Sequence, residues 1–352
     1  MTVRFRLLLL GLAAMTAQAQ PSSLPAVTLS GTLQTRFSYG QHETLQRTRI
    51  GFGVRRARLR VRVRLSERWT FRVQLDGTAP SARFLDAYAI YTPHARWSFR
   101  IGRMPSIQPR ALGLTSHRYV DAVERPAIAE RWGARTIGRD GRDFGVEAAY
   151  HHPRGRFILF LHNGDGSWDR LRGNYRASPS NTDVTEGQQR TGIAVSLGGQ
   201  FYLSEQADIE AGGFVSYNSA GNPNTDHRRY LSYGFHWYWG AKPGSRWFRL
   251  KLDGVVVRYE PGQPVLRSSD HLTGIAGLSA VRLHRGAEAF ARLEWLEESG
   301  AEADRTILTT GFSISPSALQ GAPYERQRLT VAYATERGLG QHLLVVQWQL
   351  IF

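Results

Sequence analysis

The chain has no cysteine. That excludes a disulfide framework, a thiolate metal site and the lipobox of a lipoprotein anchor. Lysine is almost missing as well. It stands only at Lys242 and Lys251, so 43 of the 45 basic residues are arginine. Long apolar runs are also absent: beyond the N-terminus no stretch approaches the roughly 20 residues of a membrane-crossing helix. Together with a negative mean hydropathy, this excludes a helical membrane protein. Acidic residues number 29, which leaves a formal charge of +16 over 352 residues. A basic protein of this kind can meet nucleic acid, an anionic surface or small anions. The N-terminus argues against nucleic acid. Arg4 and Arg6 precede a short apolar stretch, Leu7 to Ala14, and Ala17-Gln18-Ala19 has the small-x-small form of a signal cleavage site. The expected division is a cleaved signal peptide at 1–19, a short periplasmic segment at 20–26 and one domain at 27–352. Removal of Arg4 and Arg6 leaves the mature chain at +14.

What the chain does have is alternation. From Arg56 to Leu65 arginine and apolar residues change places without a break. Arg56, Arg58, Arg60, Arg62 and Arg64 share one parity, and Ala57, Leu59, Val61, Val63 and Leu65 the other. Successive side chains of a strand point to opposite faces, so one face is a row of cations and the other is apolar. A barrel wall between lipid and a water-filled lumen needs such a strand. Similar alternation predicts sixteen strands, near 27–39, 50–65, 69–76, 84–91, 97–103, 143–150, 156–163, 190–203, 207–217, 229–239, 246–259, 272–283, 287–295, 305–314, 325–335 and 342–352. An even count is what bacterial outer-membrane barrels require.

The links between these strands carry a second signal. Those after even strands are short, such as Ser66-Glu67-Arg68 and Ser204-Glu205-Gln206. Those after odd strands are mostly longer and polar, and the longest is 104–142. Short periplasmic turns alternating with long outer loops are characteristic of transmembrane barrels. Ser315 to Tyr324 is long for a turn, and Arg337 to Gly340 is short for an outer loop. Trp69, Trp97, Trp239 and Trp247 flank short links and Trp295 an outer one, as aromatic girdles would. The chain ends with Leu344, Val346, Trp348, Leu350 and the terminal Phe352 on one parity, which resembles the C-terminal signature of outer-membrane barrels. The expected fold class is therefore all-β, a transmembrane antiparallel barrel.

Several segments resemble the phosphate-selective porin O and P family. They are Val54-Arg55-Arg56-Ala57-Arg58-Leu59, Phe71-Arg72-Val73-Gln74-Leu75-Asp76, Leu85-Asp86-Ala87-Tyr88, Ile101-Gly102-Arg103-Met104-Pro105, Glu124-Arg125-Pro126 and His162-Asn163-Gly164. The similarity is dense over roughly residues 27–165. It implies a sixteen-stranded outer-membrane barrel, usually trimeric, that passes anions by diffusion. It also implies that the third outer loop, here 104–142, folds into the lumen and narrows it. On the family's pattern Arg55-Arg56 would line the constriction, with Arg36 a further match and Asp86 the family's aspartate. Selective members carry lysines in the loop and entrance, and this loop has none, which weakens transfer of phosphate specificity. Arg55 lies off the parity of the arginine row, so either a bulge or a rim position has to explain it.

The row of arginines raises local anion concentration and excludes cations from a narrow channel. Guanidinium suits phosphate and carboxylate because its planar fork bonds both bidentately. Sites two strand residues apart, at about 6.6–7 Å, allow stepwise passage. Expected pore-lining residues are Arg36, Arg55, Arg56, Arg58, Arg60, Arg62, Arg64, Arg72, Asp86, Arg125 and Arg131. Asp76, Asp86, Glu288 and Glu294 would temper binding. The alternative role for the row is structural pairing with acids on neighbouring strands. Arg125, Arg131, Arg135 and Arg139 could equally face lipopolysaccharide phosphates outside. Neither a metal site, a cofactor nor a catalytic group is expected. His151-His152 and Asp165 fall in turns, Glu294, Glu297 and Glu298 at a strand end, and no serine has a recognisable catalytic setting. With no plug domain ahead of the first strand, a gated transporter is not expected. The functional expectation is a passive outer-membrane porin preferring small anions, phosphate or similar, as a homotrimer in lipid and lipopolysaccharide. The alternatives are a non-selective pore and a structural or adhesive barrel with a plugged lumen.

Overall fold

In the computed structural model the described residues are 24–43, 45–78, 82–138, 140–164, 192–204, 208–219, 229–260, 270–299, 304–337 and 340–352. Residues 1–19, expected as a signal peptide, Arg139 and Asp165 lie outside them. Sixteen strands close into one antiparallel barrel. They are β1 (Ala26–His42), β2 (Arg47–Arg64), β3 (Trp69–Asp76), β4 (Arg83–His94), β5 (Trp97–Pro105), β6 (Arg142–His152), β7 (Gly155–His162) and β8 (Ala194–Ser204), followed by β9 (Ile209–Asn218), β10 (Tyr230–Trp239), β11 (Phe248–Tyr259), β12 (His271–His284), β13 (Ala287–Glu298), β14 (Arg305–Ile314), β15 (Gln327–Arg337) and β16 (Gln341–Ile351). Each pairs with its neighbours in sequence, and β1 closes on β16. The expected count and order hold.

The burial pattern inverts that of a globular core. Val27, Leu29, Ile50, Phe52 and Leu293 are exposed, while Gln34, Arg56, Asp86, Arg249, Glu288 and Gln347 are buried. Parity explains this: the apolar set of each strand points out of the barrel and the polar set points in. A closed ring leaves no sheet edge, so every strand backbone can pair, as hydrocarbon demands.

Two bulges interrupt the parity near the arginines. Gln34 pairs with Arg56 and Thr35 with Val54, which leaves Arg55 as the extra residue. Of the two explanations open to Arg55, the bulge is the one found, and it turns both Arg55 and Arg56 toward the lumen. Between β3 and β4, Gln74 pairs with Asp86 and Leu75 with Phe84, leaving Leu85 extra and buried beside Asp86.

Most strand bounds lie within three residues of expectation. β8 differs, starting at Ala194. The link from Ser315 is long because it folds. A one-turn helix, Pro316–Leu319, is capped by Ser315, whose side chain accepts from Ala318 N–H. Tyr324 then tucks back and its hydroxyl meets Ser313 at 2.8 Å.

The seam between first and last strands is built on a glycine. Gly31 N–H donates to the Phe352 carbonyl at 2.9 Å, and a Cβ at Gly31 would meet the Phe352 ring. Gly31→Leu therefore displaces the terminal aromatic ring. The expected result is a loss of heat-modifiable, folded barrel on refolding, measured by gel mobility, with Gly51→Leu, whose Cβ meets nothing within 4 Å, as the tolerated comparison.

Candidate functional site

The site is the interior, and the segment that shapes it joins β5 to β6, residues 106–141. It contains a helical turn at Arg110–Leu114, another at His117–Tyr119 and a helix, α1 (Ala127–Arg135). One face of α1 is apolar. Ile128, Ala129 and Trp132 join Leu112 and Ile137 in a cluster with Val255 and Val257 of β11, Leu272 of β12 and Leu296 of β13. Trp132 meets the ring of Phe214 edge-on at 6.1 Å. The wall makes room by having no side chain at Gly274, where a Cβ would press on Ile128. Burying that many apolar groups is the main force holding the segment down, at about 1.5–3 kcal/mol for each large side chain.

Polar bonds fix its position around the ring. Arg131 and Arg135 meet Glu298 of β13 at 2.5 and 2.8 Å. Asp121 is held by Arg249 and Lys251 of β11, each at 2.7 Å. Arg110 pairs with Glu210 of β9 at 2.6 Å. Arg292 and Arg328 donate to the carbonyls of Glu124 and Val120, both at 2.7 Å. On the opposite wall His117 Nε2 meets Thr32 of β1 at 3.0 Å, and Gln349 of β16 donates to the Arg118 carbonyl at 3.3 Å. Contacts on opposite walls run the segment across the barrel's interior. Arg125, Arg131 and Arg135 accordingly point inward. The alternative that they face lipopolysaccharide does not fit this geometry.

Glu124 is the hub between segment and arginines. It accepts from Arg55 at 2.8 and 2.9 Å and from Arg36 at 2.5 Å. Val123 before it sits at a φ of 49°, a conformation that β-branched residues rarely take, and packs in a buried cluster with Leu278 and Phe290. That turn presents the carboxylate to β1 and β2.

Each predicted residue can now be placed. Arg56 is buried and donates to Gln34 at 2.6 Å. Arg58 pairs with Asp76 at 2.9 Å. Arg60 bonds Gln74 at 2.8 and 3.0 Å, and Arg72 pairs with Asp86 at 3.0 Å. Arg62 stands opposite Arg72 in register and, like Arg64, is exposed toward the end of the barrel with short links. Arg125 gives its guanidinium to two carbonyls of its own segment, of Ala111 and Thr115. The structure thus gathers Arg36, Arg55, Arg56, Arg58, Arg72, Arg125 and Asp86 on one side of the waist, with Arg60 and Arg62 following down the wall. Arg131 lies across from them. The tempering acids are also inside: Asp76 and Asp86 as above, Glu288 on Arg249 at 2.6 Å, and Glu294 on Arg292 at 2.7 Å.

Sequence reasoning passed over Glu124, Asp121 and Arg249 as functional residues. Lone charges on a strand or loop give no sign of whom they will meet. It also passed over a buried row of Asp143, His162 and Ser196. His162 meets Asp143 at 2.9 Å and Ser196 at 2.7 Å. The order carboxylate, imidazole, hydroxyl is that of a nucleophilic triad. Ser196 is 0% exposed, however, and its hydroxyl is shared with Ser216 at 2.8 Å. The row is a cross-strand polar chain from β6 to β9 that no substrate reaches.

Titration in the crossing segment follows from this charge crowding. Burial alone would raise the Glu124 carboxyl. The hydrogen bonds and charge of Arg55, with Arg56 and Arg36, overcome it and hold the group at about 2, against an ordinary 4.5. Burial, then the charges of Arg58, Arg56, Arg125 and Arg60, push His117 well below its ordinary 6.5. Both folded values are depressed, so in each case the undocked form binds more protons and acid favours it. For His117 the loss begins as pH falls below 6.5, and for Glu124 below 4.5, continuing toward 2. The expected result is single-channel noise that grows as pH drops from 7 to 5 in the wild type and not in His117→Gln.

Comparison with known proteins agrees with this build. The sequence profile of the phosphate-selective porin O and P family matches residues 27–242. No curated protein sequence matches the chain. Among solved structures, the anion-selective porin from Comamonas acidovorans superposes with a TM-score of 0.66 at 12% identity, covering 93% of this chain and 99% of that one. The outer-membrane channel DcaP of Acinetobacter baumannii gives 0.64 at 12% identity, over 95% and 100%. The trimer form of OmpT from Vibrio cholerae gives 0.59 at 11% identity, over 94% and 100%. At such identities these structures share the fold with this chain. The profile match spans more than half of it, and the chain belongs to the phosphate-selective porin O and P family.

Proposed function

We propose that the protein is a passive outer-membrane porin that prefers anions. The observation that carries this is the excess of arginine over carboxylate where the crossing segment meets β1 and β2. Glu124 answers both Arg36 and Arg55, Glu130 adds only a long contact to Arg55 at 3.9 Å, and Arg56 and Arg125 have no carboxylate partner among the described residues. A net positive waist with low-dielectric walls concentrates anions and repels cations. Arg60, Arg62 and Arg64 continue the field toward the far mouth, so that no single site holds the ion too tightly to release it.

The same reading includes export with cleavage before Gln20, assembly as a homotrimer, and lipopolysaccharide around the outer rim. A trimer is the form printed for the Vibrio cholerae structure. Phosphate enters through the family's description, and guanidinium takes phosphate and carboxylate equally well. Single-channel conductance in three salts tests the proposal. Exchanging chloride for acetate lowers the conductance strongly, while exchanging potassium for lithium changes it little. A conductance that follows the cation would refute it.

A further inference from the structure

On the side of the long links the lumen widens into a cavity of about 810 Å³. One inorganic anion with its first few waters, at about 30 Å³ for each water, occupies only part of it. The volume falls instead within the roughly 300–1,000 Å³ of small-molecule sites.

Its lining has two kinds of surface. Nine arginines face it against three carboxylate residues. Several of these arginines are matched, Arg58 by Asp76, Arg131 by Glu298 and Arg305 by Glu336. Two are not. Arg56 is 2% exposed, and its Nε is buried with no hydrogen-bond partner. The charges of Arg55, Arg125 and Arg58 bear on it, with the charge of Glu124 opposing them. Arg125 gives its guanidinium to two carbonyls and forms no ion pair among the described residues, with the charge of Glu130 acting on it from further off. Buried cations without an ion-pair partner are costly, and a bound anion lowers that cost. The other surface is apolar. The β4 bulge turns Leu85 inward, Leu112 lies on the crossing segment, and Ala127 and Ala134 stand on the face of α1 that lines the space. A bare inorganic anion makes no use of it.

We propose that this vestibule is a binding site for an organic anion, with a phosphate or carboxylate group on Arg56 and Arg125 and its carbon body against Leu85 and Leu112. The proposal rests on the anion-channel reading above and adds a ligand class to it. The site holds the organic anion at the outer side of the waist before it enters the arginine row.

The test is block of chloride current through the purified full-length protein in planar bilayers. Phenyl phosphate is compared with orthophosphate, and benzoate with acetate, so that the two head groups are separated. Each aromatic probe should block at a concentration about tenfold lower than its counterpart without a ring, as burial of a ring face implies. If only one pair shows the difference, that head group is the one the site takes. The preference should vanish in Arg56→Gln with Arg125→Gln and shrink toward one in Leu85→Ser, which keeps every arginine. Equal block by all probes in an anion-preferring wild type overturns the site alone. Retention of the preference in the arginine variant does the same. A cation-preferring wild type overturns the underlying reading and the site with it.

Discussion

Replacing Arg56, Arg58 and Arg60 together by glutamine lowers the chloride-over-potassium permeability ratio by at least about tenfold. An ion passing about 7 Å from a unit charge gains about 0.6 kcal/mol at the dielectric of water and about 2.4 kcal/mol at an effective value of 20. Three charges at even the lower figure exceed the 1.4 kcal/mol of a tenfold change. The measurement is the zero-current potential of the variant against wild type. Arg58 has a structural role as well, since Asp76 is left behind when it goes. Removing one partner of a buried pair is destabilising, so the paired change Arg58→Gln with Asp76→Asn is the control. It keeps the local net charge and should keep most of the preference. If the triple variant matches wild type, the row is only a scaffold for neighbouring acids and glutamines.

Trp132→Ala releases the crossing segment. Trp132 is 0% exposed and central to the cluster against β11 to β13. Truncating a buried tryptophan costs about 3–5 kcal/mol. The remaining polar tethers include Asp121 on Arg249 and Lys251 and Glu298 on Arg131 and Arg135. The expected result is a larger and noisier single-channel conductance with weaker anion preference, because Arg125 and Glu124 no longer hold station opposite β2. Adding Asp121→Asn should enlarge the effect. Unchanged conductance in the double variant would mean that the segment does not set the width of the pore.

The barrel was legible because its rule is local. A period of two, repeated in sixteen segments, places every strand without reference to its partners, and the parity of short and long links orients them. Arg55 was legible as an anomaly, since it broke the row, and the register shift beside Gln34 resolved it. Leu85 broke no visible pattern, and only pairing reveals it as the second bulge. The crossing segment was legible as a long insertion and little more. Its helix is nine residues opened by Pro126, and its apolar side has meaning only against Val255, Val257 and Leu272 more than 120 positions away. Glu124 stood in a recognised motif, yet its partnership with Arg36 and Arg55 depends on a turn at Val123 that no propensity suggests. Pairwise chemistry between distant charges is set by the closed shape, and the shape appears only once the ring is built.

The central claim is that this lumen, by its uncompensated arginines, selects for negative ions. The zero-current potential of the purified wild-type protein across a KCl gradient tests it most directly. A potential displaced toward the chloride equilibrium value is expected, and a displacement toward that of potassium would contradict anion selection.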